Sequence, residues 1–174
     1  VRRVAIVGGV RIPFARAMGA YAECSNREML TAALKGVVDK YRLAGERLGD
    51  VGAGAVLKHP RDFNLTREAV LGSGLSPETP AYDLQRACGT SLETAIDLGL
   101  KIAHGQIECG IAAGVDTASD VPIGVSEGLR RILLASARGR SLGARRAPGA
   151  GLRPPHLKPA QPPGAAPPPR HKKG

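Results

Sequence analysis

The chain has 174 residues and a formal net charge of +10, from 25 Lys and Arg against 15 Asp and Glu. The excess lies at one end: residues 136–174 hold nine basic side chains, nine of the 14 prolines and no acidic residue, which leaves residues 1–135 nearly neutral. No apolar run approaches the roughly 18 residues of a membrane span, and three Cys with no CxxC pair argue against a disulfide framework or a structural zinc site.

Val1-Arg2-Arg3-Val4 leads into a strand-like pattern instead of an apolar signal core, so a cytoplasmic, reduced protein is expected. Val4 to Val7, closed by Gly8-Gly9, predicts a strand buried on both faces. Ser25-Asn26-Arg27-Glu28 has the capping-box form and predicts a helix running to about Tyr41, with Met29, Leu30, Ala33, Leu34, Val37 and Val38 at helical spacing. Ala53 to Leu57 predicts a second strand, and Leu65 to Leu71 a helix stopped by Gly72 and Gly74. Ala81 to Gln85 predicts a third strand, entering a tight turn and then a helix from Leu92 to Ala103. Ile107 to Val115 predicts a fourth strand and Gly128 to Ala137 a last helix. Strands and helices alternating in this way give an α/β fold, a mostly parallel sheet covered by helices. The body, residues 1–135, is the expected domain. The basic Pro/Gly/Ala-rich tail, residues 136–174, has few large apolar groups and is expected to be extended and disordered.

Cys88 is the sharpest chemical feature. It follows a strand and precedes a helix whose first turn carries Gly89, Thr90 and Ser91. Unsatisfied N–H groups at a helix start favour a thiolate and can receive the oxyanion formed at an attacked carbonyl. Gly89 leaves room for a substrate approaching the sulfur. A small core cysteine beside a glycine turn fits the same spacing equally well.

Three ordered segments then decide between these readings. Arg11-Ile12-Pro13-Phe14 follows the first strand, Arg86-Ala87-Cys88-Gly89-Thr90-Ser91-Leu92-Glu93 surrounds the cysteine, and Ala112-Ala113-Gly114-Val115-Asp116-Thr117-Ala118-Ser119 ends the fourth strand. Together, in order and spacing, they resemble the thiolase family over residues 1 to about 135. Val121 to Val125 with Leu129-Arg130-Arg131 is more similar to the long-chain 3-ketoacyl-CoA thiolase branch than to the short-chain biosynthetic one. The resemblance implies a layered thiolase-like half-fold and an acyltransferase that cleaves a 3-ketoacyl-CoA with CoA. Cys88 is then the nucleophile that carries the acyl group as a thioester, and the Cys88 or Gly89 backbone N–H an oxyanion donor. No metal or tightly held cofactor is implied; CoA is a substrate. The family also uses a His that activates the nucleophile and a second acid/base Cys, both from motifs in the C-terminal half of a longer chain, and neither motif occurs here. The expected product is thus an incomplete enzyme, inactive alone. The alternative is a non-catalytic truncated remnant or a partner-dependent subunit, its tail arising from truncation or a shifted reading frame.

Remaining residues have plainer readings. Cys24 and Cys109 are expected to pack, His59 and His104 to lie beside a loop proline and a helix-ending glycine, and Asp116 and Asp120 to shape a turn. Gly8-Gly9-Val10-Arg11 is no dinucleotide fingerprint. The tail has charge for nucleic acid but no stacking aromatic, which argues against that partner. Thiolases assemble as dimers or tetramers, so a homo-oligomer with Ala81 to Gln85 as a pairing edge is expected, and no membrane partner.

Overall fold

A computed structural model of the chain describes residues 1–157. Contacts divide the chain into two compact units, Val1–Pro122 and a second beginning at Ile123, ahead of the composition change at residue 136.

The first unit is built on three helices and three strands. Helix α1, Asn26–Tyr41, starts on the predicted capping box: Ser25 Oγ accepts from the Glu28 N–H at 3.2 Å, and the Ser25 N–H donates to Glu28 Oε2 at 2.8 Å. Strand β1 is Asp50–Ala53, helix α2 Leu65–Ser73, strand β2 Ala81–Asp83, helix α3 Thr90–Ala103 and strand β3 Gly110–Ala112. The strands form one parallel sheet in the order β2-β1-β3, with Val51 opposite Ala81 and Ile111. Val51 and Ala53 point to one face, where they form the core with Leu30, Leu34 and Val38 of α1 and Leu65, Ala69 and Val70 of α2. Asp50 and Gly52 point to the other face: Lys101 of α3 reaches Asp50 Oδ2 at 2.8 Å, and a Cβ on Gly52 would stand 2.6 Å from the Tyr82 hydroxyl. Helices therefore cover both faces, as the α/β expectation required.

Three expectations are corrected. Val4 to Val7 forms no strand, and Val4, Ile6 and Val7 are 43%, 93% and 83% exposed. A strand needs a paired edge, but the Arg2 N–H goes to Ala103 O at 2.9 Å and Lys40 Nζ holds Gly9 O at 3.0 Å. Tethered at both ends, the segment walls an apolar cavity of about 1040 Å³ with α1, α3 and β3 instead of joining the sheet. The second strand lies earlier than predicted, at Asp50–Ala53, because the Asp50 carboxylate is neutralised by Lys101. Residues 139–157, expected to be extended, fold into helix α5, Leu142–Arg146, and 3-10 turns at Ala147–Gly151 and Pro154–Leu157. Prolines that end a helix fit the first turn of the next one, where no N–H is required, and Pro148 sits there. The rest of the tail, with His171, lies outside the described residues. Helix α4, Glu127–Arg138, matches the predicted last helix within a residue at each end.

Candidate active site

The carboxyl ends of the three parallel strands converge on the Cys88 turn. The chain leaves β1 toward the face that carries α2 and leaves β2 toward the face that carries α3. Close backbone approach there depends on glycine. A Cβ on Gly54 would stand 1.8 Å from Leu84 O, and one on Gly114 2.9 Å from the Ser91 Cβ. Ladder bonds continue past the strands, from Leu84 N–H to Ala53 O at 2.8 Å and from Val115 N–H to Gly54 O at 3.1 Å. The β3 end is fixed by Asp116, whose two oxygens each accept at 2.9 Å from the Val56 and Leu57 N–H groups. That makes it the turn-shaping carboxylate expected from the sequence.

Cys88 is exposed on a strand-turn-helix elbow. Ala87 just before it has φ +45°, a left-handed conformation that a non-glycine residue adopts only when its surroundings impose it. Thr90 imposes it: its hydroxyl accepts from the Arg86 N–H at 2.9 Å and donates to Ala87 O at 2.8 Å. The Gly89 N–H donates to Arg86 O at 3.0 Å, and the Thr90 N–H to Ala87 O at 3.2 Å. Among the described residues the Cys88 N–H has no acceptor. Arg86 and Glu93 pair across the turn at 3.3 Å.

Sequence reasoning passed over Asp83, five residues before Cys88 at the end of β2. Its oxygens accept from the Leu65 and Thr66 N–H groups at 3.1 and 2.8 Å, capping α2, and from Lys58 Nζ at 2.6 Å. Burial works to raise its carboxyl pKa, but the Lys58 and Thr66 hydrogen bonds prevail and hold it below the usual carboxylate range. An Asp ending a strand and a Lys in the preceding loop are too common a pair to signal this role from sequence.

Among the described residues, neither His59 nor His104 is hydrogen-bonded to the Cys88 thiol. His59 caps the 3-10 turn Pro60–Asp62, its Nδ1 accepting from the Arg61 N–H at 3.2 Å. His104 caps the far end of α3, about 21 Å along a 14-residue helix. Cys109 is exposed just ahead of β3, at the amino end of the sheet, and not packed as expected; Cys24 is half-buried. Asp120 pairs with Arg61. Among the described residues, no three His, Cys, Asp or Glu side chains gather as a metal site requires.

Known proteins bear on this geometry. A family model described as thiolase, N-terminal domain, matches residues 4–145. The 3-ketoacyl-CoA thiolase of Pectobacterium carotovorum subsp. carotovorum is 37% identical over 160 residues, covering 92% of this chain and 37% of the relative. Those of Photorhabdus laumondii subsp. laumondii and Aliivibrio fischeri are each 36% identical, over 143 and 140 residues, covering 82% and 80% of this chain. They are themselves covered over 33% and 32% of their length, so the chain spans about a third of the relatives it matches. The likeness also continues past residue 135, where the sequence reading placed its end.

Proposed function

The chain belongs to the thiolase family, and from that premise we propose that it is the nucleophile-bearing segment of an acyltransferase that splits 3-ketoacyl-CoA with CoA. The observation that carries the reading is the exposed Cys88 at the start of α3, on an elbow held by Thr90.

In the first half-reaction Cys88 Sγ attacks the C3 carbonyl, and the oxygen takes up the electron pair. Collapse of that oxyanion breaks the C2–C3 bond. The pair passes to C2, which is protonated to give acetyl-CoA, and the acyl group stays on sulfur as a thioester. In the second half-reaction the CoA thiol, losing its proton to a base, attacks the thioester. It leaves as acyl-CoA and returns the Cys88 thiolate. Of the two oxyanion donors considered, Cys88 supports the role better than Gly89, whose N–H is engaged by Arg86 O. CoA enters as a substrate, and no resident cofactor is invoked.

Both half-reactions need proton transfer, and among the described residues neither His59 nor His104 is hydrogen-bonded to the Cys88 thiol. Each absent acid or base removes a factor of about 10²–10⁴. The chain alone is therefore a partner-dependent segment, reactive at sulfur without turnover. Iodoacetamide labelling read by peptide mass spectrometry tests the nucleophile, with Cys88 modified ahead of Cys24 and Cys109. Preferred labelling of either other cysteine would remove the assignment. A thiolysis assay with acetoacetyl-CoA and a longer 3-ketoacyl-CoA tests the rest: turnover by the pure chain would overturn its dependence on a partner.

A further inference from the structure

Thr90 is buried while Cys88, two residues earlier, is exposed, so Thr90 can act on the thiol only through the backbone between them. A hydroxyl at a helix start ordinarily accepts from an N–H of the first turn. The Thr90 hydroxyl turns back instead, accepting from the Arg86 N–H at 2.9 Å and donating to Ala87 O at 2.8 Å, and so grips the two residues before the cysteine. The N-cap of α3 is Gly89, which makes no side-chain cap. The Thr90 methyl has a different neighbour: a Cβ on Gly54 would stand 3.1 Å from Thr90 Cγ2, so the methyl packs against the backbone leaving β1.

We propose that Thr90 is the positioning residue of the nucleophile, and that its hydroxyl, not its methyl, does this by holding Ala87 left-handed. The proposal rests on the assignment of Cys88 as nucleophile. Ala87 has φ +45°, where its Cβ crowds the backbone, and without the hydroxyl it returns to negative φ. The chain direction into Cys88 then changes, and the sulfur leaves the helix start that favours its thiolate. The Cys88 N–H, which has no acceptor among the described residues, loses its setting as an oxyanion donor in the same movement. A glycine at position 87 would hold the left-handed conformation unaided, so the need for the hydroxyl comes from the alanine.

The test is the iodoacetamide alkylation rate of each cysteine in the full chain, read by peptide mass spectrometry. Thr90→Val keeps the methyl and loses both hydrogen bonds; Thr90→Ser keeps the hydroxyl and loses the methyl. Thr90→Val should lower the Cys88 rate about tenfold with Cys24 and Cys109 unchanged, whereas Thr90→Ser should stay within about twofold of the parent. With Ala87→Gly already in place, adding Thr90→Val should change the Cys88 rate less than about twofold, because the glycine takes positive φ freely. A Thr90→Val chain that reacts like the parent would overturn the proposal. Equal losses in the Ser and Val variants would overturn it too, and assign Thr90 to packing. So would a loss of rate or of circular dichroism in Thr90→Val that Ala87→Gly does not restore. The nucleophile assignment fails separately, when Cys24 or Cys109 of the parent chain reacts ahead of Cys88.

Discussion

Gly114 lies directly against Ser91: a Cβ at position 114 would stand 2.9 Å from the Ser91 Cβ and 3.5 Å from its Cα. The end of β3 thereby fixes the first turn of α3, the turn that presents Cys88. Gly114→Ala must push that turn away, because the obstacle includes backbone and not the free end of a flexible side chain. We expect a loss of about 1–3 kcal/mol in urea denaturation and a changed alkylation rate at Cys88 relative to Cys109. Gly99→Ala in the same helix is the contrasting case. Nothing stands within 4 Å of its Cβ position, so replacing a mid-helix glycine should raise stability by about 0.5–1 kcal/mol and leave Cys88 labelling unchanged.

Asp83 joins α2 and the loop that carries Lys58 to the sheet end through one carboxylate. Asp83→Ala removes the acceptor for the Leu65 and Thr66 N–H groups and leaves Lys58 without its partner at 2.6 Å. The expected cost is about 2–4 kcal/mol. The carboxyl is held below its ordinary range, so its contribution is complete above the unfolded value of about pH 4. It is lost as pH falls from there through the lowered native value. Urea midpoints measured from neutral to acid pH should therefore fall more steeply in the parent chain than in Asp83→Ala. Parallel pH curves would remove the linkage.

Sequence resolved this molecule where its signals are local. The Ser25 and Glu28 pair lies at fixed spacing, and both of its hydrogen bonds are present. The Cys88 turn is equally local, since a strand, a glycine and a helix start follow within a few residues. Pairing is not local. Val4 to Val7 has the composition of a buried strand, yet whether it joins the sheet depends on Ala103, Glu108 and Lys40, far along the chain. Asp50 was passed over as a strand residue because its neutralising partner, Lys101, is 51 residues away. The left-handed Ala87 is invisible for a related reason: the hydroxyl that imposes it belongs to Thr90, a residue with many ordinary uses. The basic excess beyond residue 136 marks a change of composition, and the family match runs to residue 145.

Tyr82 and Lys101 tie α3 to the opposite face of the sheet. The Tyr82 hydroxyl donates to the Asp97 carboxylate, while Lys101 Nζ lies 4.3 Å from the centre of the Tyr82 ring and bonds Asp50. Burial, then the hydrogen bond to Asp97, pushes the Tyr82 hydroxyl pKa above the ordinary tyrosine range. A raised pKa stabilises the fold fully below the unfolded value of about 10, and that stability disappears as pH rises through the native value. Tyr82→Phe should cost about 1–2 kcal/mol at neutral pH. The difference in 295 nm absorbance between parent and variant should place the Tyr82 titration on the alkaline side of free tyrosine. A difference titration centred at the free value would exclude the Asp97 bond in solution.

Leu92, Ile96 and Leu100 lie at i, i+4 and i+8 on α3 and are 66%, 50% and 55% exposed. A stripe of this size on the helix that follows Cys88 is uncovered apolar surface, which drives association in water. The pure chain should therefore run larger than a monomer in light scattering and bind an apolar dye such as anilinonaphthalene sulfonate. Leu92→Gln with Leu100→Gln should shift it toward the monomer and lower dye fluorescence, because both side chains project from the fold and hold no part of the core. If association ran through the free edge of β2 instead, this variant would leave the oligomer intact, and a proline at Tyr82 would dissolve it. A monodisperse parent monomer would exclude both routes.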